Sequence, residues 1–192
     1  HVPTGMDEAM EQVRKINPDY EYRYYTDETA REYIRERTND TLLEAFDLLI
    51  PGAFKADFFR YVFLYVEGGV YVDADEIVLV PLSKVLKPED EFVSPIDTGV
   101  KKGKLALYNA FIAASPGHPV IARVLRDSTR RIFTFARCVD PLAITGPVAL
   151  GHAFNETIGN IHSGQVVPGV RLWVYEKLNP RCSVGYVSTS EG

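Results

Sequence analysis

An α/β domain with a central sheet flanked by helices is predicted by three observations. Short β-branched or aromatic runs, VYV at 70–72, EFVSP at 91–95, NAFIAAS at 109–115 and VRLWVY at 170–175, alternate with segments of helical period. The most apolar helical segment, AFKADFFRYVFLYVE, stops at Gly68-Gly69 and leads directly into a strand. The chain has 192 residues, 46% of them hydrophobic and 24% charged, enough to bury one real core as a single domain over 1–192.

Element by element, MDEAMEQVRKIN places Met6, Met10, Val13 and Ile16 at helical spacing, and Asn17-Pro18 ends that helix. YEYRYYT, Tyr20 to Thr26, alternates and reads as a strand, its tyrosines assigned to the core. Thr26-Asp27 caps a helix running to about Arg37, and TLLEAFDLLI gives a short helix ended by Pro51-Gly52. VYVDADEIVLV is one β-branched run interrupted by acids and closed by Pro81. A helix is expected from Pro119 to Phe135, then a tight turn at TGP containing Gly146, another helix, and VRLWVY as the final strand. No internal repeat, low-complexity segment or linker divides the chain.

Bulk properties exclude several classes of partner. The net charge of −5 supplies no basic field for nucleic acid or an anionic membrane, and the basic residues of TRRIFTFAR read as a solvated helix face. No apolar run reaches the roughly 18–20 residues of a membrane span. Soluble and cytoplasmic is the default, with a Golgi or ER lumenal catalytic domain lacking its anchor as the alternative. Cys138 and Cys182 form no metal pattern and read as buried thiols. The N-x-T matches at Asn39 and Asn155 are short enough to arise by chance.

Chemistry concentrates in EGGVYVDADE, residues 67–76. Desolvating a carboxylate is costly unless something compensates it, so acids at the end of an apolar strand need an account. A strand ending at Asp73 delivers it to the edge where open α/β sheets bind ligands. Asp73 and Asp75 offer two hard oxygen ligands of the kind that suit Mg²⁺ or Mn²⁺ with phosphates completing the shell. A bare D-x-D is a weak signal, and on its own it reads as a solvated acidic loop after a strand. Upstream, Asp57 and Arg60 are spaced i, i+3 on one face of the apolar helix, either as a simple ion pair or as a cleft pair suited to phosphate or sugar hydroxyls.

The stretch FKADFFRYVFLYVEGGVYVDADEIVLVPL resembles the signature of the DXD glycosyltransferases of GT-A (Rossmann-like) fold, in the branch of glycosyltransferase family 32 that includes fungal outer-chain mannosyltransferases. NPDYEYRYYTDE resembles the family's second strand, NAFIAASPGHP its strand before a long helix, and TGP its later turn. The compact size also suits a virus-encoded capsid-glycan transferase. The resemblance implies a single domain with a mixed, mostly parallel sheet. It assigns metal binding to Asp73 and Asp75, with Asp75 the direct ligand. It places Thr26, Asp27, Arg60, Asp73, Ala74 and Asp75 around the nucleotide sugar, and Asp57, Arg60 and Asn109 at the reacting sugar. Gly146 is expected to serve its turn rather than a contact. Two departures stand out. The family opens with a strand reading roughly I-P-K-I-I-H, whereas this chain starts at His1-Val2-Pro3, so part of the nucleotide site is expected upstream or built from what remains. The family also places a late His as an extra metal ligand, for which His152 and His162 are the later candidates.

The activity so implied is metal-dependent, retaining transfer of a sugar from a nucleoside diphosphate, UDP-sugar first and GDP-sugar second, to a hydroxyl of a glycan or glycoprotein. Same-face attack is preferred over double displacement through Asp57. Acceptor contacts are expected from DTGVKKGKL and the segment between Arg137 and Ile144. Two readings compete: a haloacid-dehalogenase-like phosphatase using its D-x-D, and a non-catalytic, cation-stabilised binding domain.

Overall fold

The computed structural model describes residues 5–97, 105–134, 141–159, 167–176 and 186–188. In chain order the elements are α1 (Met6–Ile16), α2 (Asp27–Arg37), α3 (Asp40–Leu48), α4 (Gly52–Val66), β1 (Gly69–Val72), α5 (Leu82–Val85), β2 (Phe92–Ile96), β3 (Phe111–Ala114), α6 (Pro119–Phe133), α7 (Pro147–Ile158), β4 (Val170–Glu176) and β5 (Tyr186–Ser188). A 3₁₀ turn, Pro141–Ala143, precedes α7.

The strands form one sheet in the order β1-β3-β2-β4-β5. The α/β expectation holds, and the sheet is mixed. Among the described residues, only β2 and β4 pair in parallel; β1 with β3, β2 with β3 and β4 with β5 pair antiparallel. Strands β1, β2 and β4 therefore run the same way, but β3 is inserted between β1 and β2 and takes up the pairings they would otherwise share. Side chains alternate between the two faces, as the strand period requires. Phe92, Ile112, Ala114 and Leu172 face the main core, with Phe58, Tyr61, Leu64, Val124 and Leu150 from the helices. Val93, Ala113 and Trp173 point the other way into a smaller cluster against Val85 and Leu86.

Local chemistry explains the boundaries that matter for the site. Thr26 caps α2 by accepting from the Thr29 N–H, and Thr29 returns a bond to the Thr26 N–H. Asn39 caps α3 through the Leu42 N–H. Gly68 ends α4 with φ +69°, and a Cβ there would lie 2.6 Å from Pro116 Cδ and 2.8 Å from the Ala114 carbonyl. Glycine is thus required twice over, by conformation and by the close approach of β3.

Three expectations are corrected. The segment 20–26 is extended but not a strand: it has no ladder partner among the described residues, and its alternation records extended backbone only. Its tyrosines are also not all core. Tyr25 packs among Tyr33, Phe59 and Phe63, with ring centroids 5.7, 4.8 and 5.7 Å away, whereas Tyr20, Tyr22 and Tyr24 are exposed. The β-branched run 77–80 forms no strand, leaving Ile77, Leu79 and Val80 exposed, so the ladder ends at the acidic turn. β5 is an addition after VRLWVY, too short at three residues for any periodic signal. Cys138, Cys182, His162 and most of the expected acceptor loops lie outside the described residues.

Candidate active site

A cleft of about 660 Å³ opens between the extended segment 20–26, α4 and the C-terminal end of β1. Strand β1 sets its acidic edge. The Asp73 N–H continues the ladder by bonding the Ala110 carbonyl at 2.9 Å, and the Glu76 N–H then closes a turn onto the Asp73 carbonyl at 3.0 Å. That turn puts Asp73, Ala74 and Asp75 on the cleft wall. Glu76, the third acid, does not line it; its carboxylate accepts from the Tyr108 hydroxyl, and burial pushes its carboxyl up.

Helix α4 supplies the opposing pair. Arg60, with only 4% of its side chain exposed, is the centre of the site. Its Nη2 lies 2.9 Å from Asp57 Oδ1 and 3.1 Å from Asp73 Oδ1, bridging the helix to the strand end. Nη1 donates to the Asn109 carbonyl and Nε to the Ala56 carbonyl, so four of the guanidinium's five N–H groups are committed. The guanidinium also sits over the Tyr71 ring, 4.5 Å from its centroid. Burial alone would lower the Arg60 guanidinium, but Tyr71, Asp57 and Asp73 more than offset this and hold it above its ordinary value.

Asp57, 19% exposed, is held at both oxygens. Asn109 Nδ2 donates to Oδ1 at 2.8 Å, and the Thr145 hydroxyl donates to Oδ2 at 3.2 Å. Burial pushes the carboxyl up to about 6, although Arg60, Thr145 and Asn109 all favour its charged form; Asp73 adds to the rise. Asp73 Oδ1 receives the Tyr71 hydroxyl at 2.7 Å as well as Arg60, which leaves Oδ2 as the oxygen available to a ligand.

The structure thus gathers Thr26, Asp27, Asp57, Arg60, Asp73, Ala74 and Asp75 on one cleft. Asp27 is exposed and pairs with Lys55 at 3.3 Å. Asn109 is buried and does not line the cleft; it stands behind Asp57. His152 is exposed on α7. Gly146 differs from the expectation of a turn glycine. Its φ of −83° suits any residue, but a Cβ would lie 3.1 Å from the Leu142 backbone and 3.5 Å from Asp57 Oδ2, so close approach is what demands glycine. Sequence reasoning missed Tyr71 and Thr145. Tyr71 had a signal, being two residues before Asp73 on the same side of a strand; no spacing links Thr145 to Asp57.

No group of three or more His, Cys, Asp or Glu is placed to hold a metal among the described residues. The donor set offered is two carboxylates, Asp73 with one free oxygen and the exposed Asp75. That fits Mn²⁺ or Mg²⁺, which keep several waters and bind through one or two carboxylates plus substrate phosphates. No helix among the described residues is long and apolar enough to cross a membrane.

Residues 3–93 match the family model described as a glycosyltransferase sugar-binding region containing DXD motif. Among curated proteins, the chain is 28% identical over 134 residues to inositol phosphoceramide mannosyltransferase 3 of Schizosaccharomyces pombe, covering 70% of this chain and 35% of that one. It is 30% identical over 105 residues to the initiation-specific alpha-1,6-mannosyltransferase of Candida albicans, covering 54% and 26%. An uncharacterized glycosyltransferase of Acanthamoeba polyphaga mimivirus is 26% identical over 126 residues, covering 66% and 49%. The chain therefore spans between about a quarter and a half of the length of these relatives. The solved structure of PaToxG Glycosyltransferase superposes with a TM-score of 0.65 at 17% identity, covering 85% of this chain and 66% of that one. The fold is thus the GT-A-type α/β fold implied by the resemblance.

Proposed function

We propose, from the match of residues 3–93 to the DXD-containing glycosyltransferase sugar-binding region, that the chain acts as one α/β domain transferring a hexose from a nucleoside diphosphate to a hydroxyl. The observation that carries this reading is the bridge Asp57–Arg60–Asp73, which ties a sugar-sized polar corner to the acidic turn in a single cleft. Mannosyl transfer in the names of the fungal relatives weights the donor toward GDP-mannose, against UDP-sugar as first expected from the sequence. The acceptor class is a glycan or glycoprotein, which the relative's name extends to inositol phosphoceramide.

Asp73 and Asp75 would hold Mn²⁺ or Mg²⁺, whose chemistry is to neutralise charge on the leaving diphosphate. Asp57 accepts a donor-sugar hydroxyl through the lone pair that Asn109, Arg60 and Thr145 leave unused, fixing the sugar's pose. Arg60 adds a preorganised positive charge and has one N–H left for the donor. Thr26 and Asp27, with the exposed Tyr22 and Tyr24, offer the base an edge and rings along the same cleft. Retention by same-face attack fits this geometry. Double displacement through Asp57 is the weaker route, since three donors on its carboxylate reduce its nucleophilicity. The phosphatase reading gains nothing from the family match, and a first aspartate already engaged by Arg60 and Tyr71 is a poor nucleophile.

Incubation with GDP-mannose and UDP-hexoses, with and without Mn²⁺, tests the proposal through release of the nucleoside diphosphate. Metal-dependent release from one donor is expected; no release from any donor, with the nucleotide still binding, would favour the non-catalytic domain. The same assay gives a pH prediction. Asp57 is charged above about 6, so turnover should rise through an acid limb centred there. Its effect on stability has the opposite sign. A folded-state value raised from 3.8 means that the folded chain binds more protons between about 4 and 6, so this group's contribution to stability falls across that window and is flat above it. Thermal melts against pH should show that slope, and an Asp57→Asn variant should lack it.

A further inference from the structure

We propose that Thr145 is a positioning residue of the donor-sugar site, its hydroxyl fixing the direction in which Asp57 presents its second oxygen. The inference rests on the donor-site reading above. Arg60 and Asn109 both address Oδ1 of Asp57, at 2.9 and 2.8 Å. Both donors hold the same oxygen and neither reaches Oδ2, on a terminal torsion that is intrinsically broad rather than confined to three wells. The Thr145 hydroxyl, 3.2 Å from Oδ2, adds a hold on the second oxygen and narrows that torsion further.

Several features suit Thr145 to the task. It is fully buried, with 0% exposure, so no water competes for its hydroxyl. It comes from the turn before α7 and not from α4, which makes its hold on Asp57 independent of the helix that carries the aspartate. The backbone behind it is tightly set: a Cβ on Gly146 would lie 3.1 Å from Leu142 Cα and 3.5 Å from Asp57 Oδ2. Tyr61 completes the arrangement, its hydroxyl 3.4 Å from Asn109 Nδ2 and 3.5 Å from the Gly146 carbonyl. Thr145 lies beyond the 3–93 region that the family model matches, so the donor site extends into a second part of the chain.

The test compares binding of a nucleoside diphosphate with that of its sugar conjugate, GDP against GDP-mannose and UDP against UDP-glucose, in the presence of Mn²⁺. Thr145→Val keeps the branched shape and removes the hydroxyl; Thr145→Ser keeps the hydroxyl. The valine variant should bind the bare diphosphate within about twofold of wild type but the sugar conjugate about tenfold more weakly, as expected for losing a hydrogen bond to a charged group. The serine variant should recover most of that loss. An unchanged ratio in Thr145→Val, or a serine variant as impaired as the valine, overturns the inference while leaving the donor site standing. Wild-type protein that binds neither diphosphate nor conjugate would instead remove the donor-site reading and this inference with it. Melting curves identify a variant that fails to fold, in which case Thr145→Ala against Thr145→Ser carries the same comparison.

Discussion

Replacing Arg60 by alanine should both abolish sugar transfer and weaken the fold. The guanidinium is 4% exposed and compensates two carboxylates, Asp57 and Asp73, whose side chains are 19% and 30% exposed. Removing it leaves a buried Asp57 charge with no cation, and breaking a buried pair in this way costs about 3 kcal/mol or more. The partial exposure of Asp73 puts the expectation at the lower end of that range. The buried Asn109 carbonyl also loses the guanidinium N–H that it accepts from. Transfer should fall by at least about 10³-fold, since a preorganised charge at the leaving group and the pose of Asp57 disappear together. Arg60→Lys separates the two effects. A single ammonium retains charge but cannot bridge Asp57, Asp73 and the Asn109 carbonyl at once. It should recover much of the melting temperature and little of the turnover. A fully active lysine variant would show that charge alone suffices and that the bridge is not required.

Asp75→Ala should do the reverse, leaving the fold untouched while removing activity. Asp75 is exposed and carries no described hydrogen bond or ion pair, so its truncation should move stability by no more than about 0.5 kcal/mol. Its expected work is with Mn²⁺ or Mg²⁺, where loss of one of two carboxylates should lower transfer by about 10³-fold, equivalent to several kcal/mol of charge stabilisation. Asp73→Ala is a less clean experiment, because Asp73 also receives Arg60 and Tyr71 and its removal disturbs the bridge. The informative measurement is the pair of melting curve and turnover on the same Asp75→Ala preparation. Equal melting with lost turnover supports an acidic turn that acts on ligand; retained turnover would make it a solvated loop.

What could be read from the sequence follows the range of the signals. Helix α4, Gly68 and β1 were legible because a long apolar period, a stop and a β-branched run are all local. The same contiguity put Asp57, Arg60, Asp73 and Asp75 within reach of a single stretch. The strand predicted at 20–26 failed because alternation reports an extended backbone and cannot report whether a neighbouring strand exists. Tyr20, Tyr22 and Tyr24 are aromatic residues of the kind that composition assigns to a core, yet they are exposed, and of this segment's tyrosines Tyr25 is the one that reaches it. The antiparallel insertion of β3 between β1 and β2 was equally hidden, since it depends on long-range pairing of Gly69–Val72 with Phe111–Ala114. Thr145 reaches Asp57 across 88 positions of sequence, and no periodicity encodes that meeting.

Calorimetric titration of the wild-type chain with GDP and with UDP, each with and without Mn²⁺, decides whether the acidic turn is a metal-diphosphate site. Asp73 Oδ2 and Asp75 provide only part of a coordination shell, so one nucleotide should bind with Mn²⁺ and binding should largely disappear when the metal is chelated. Binding of equal strength with and without Mn²⁺, or none of either nucleotide in its presence, would contradict a metal-diphosphate site at Asp73–Asp75.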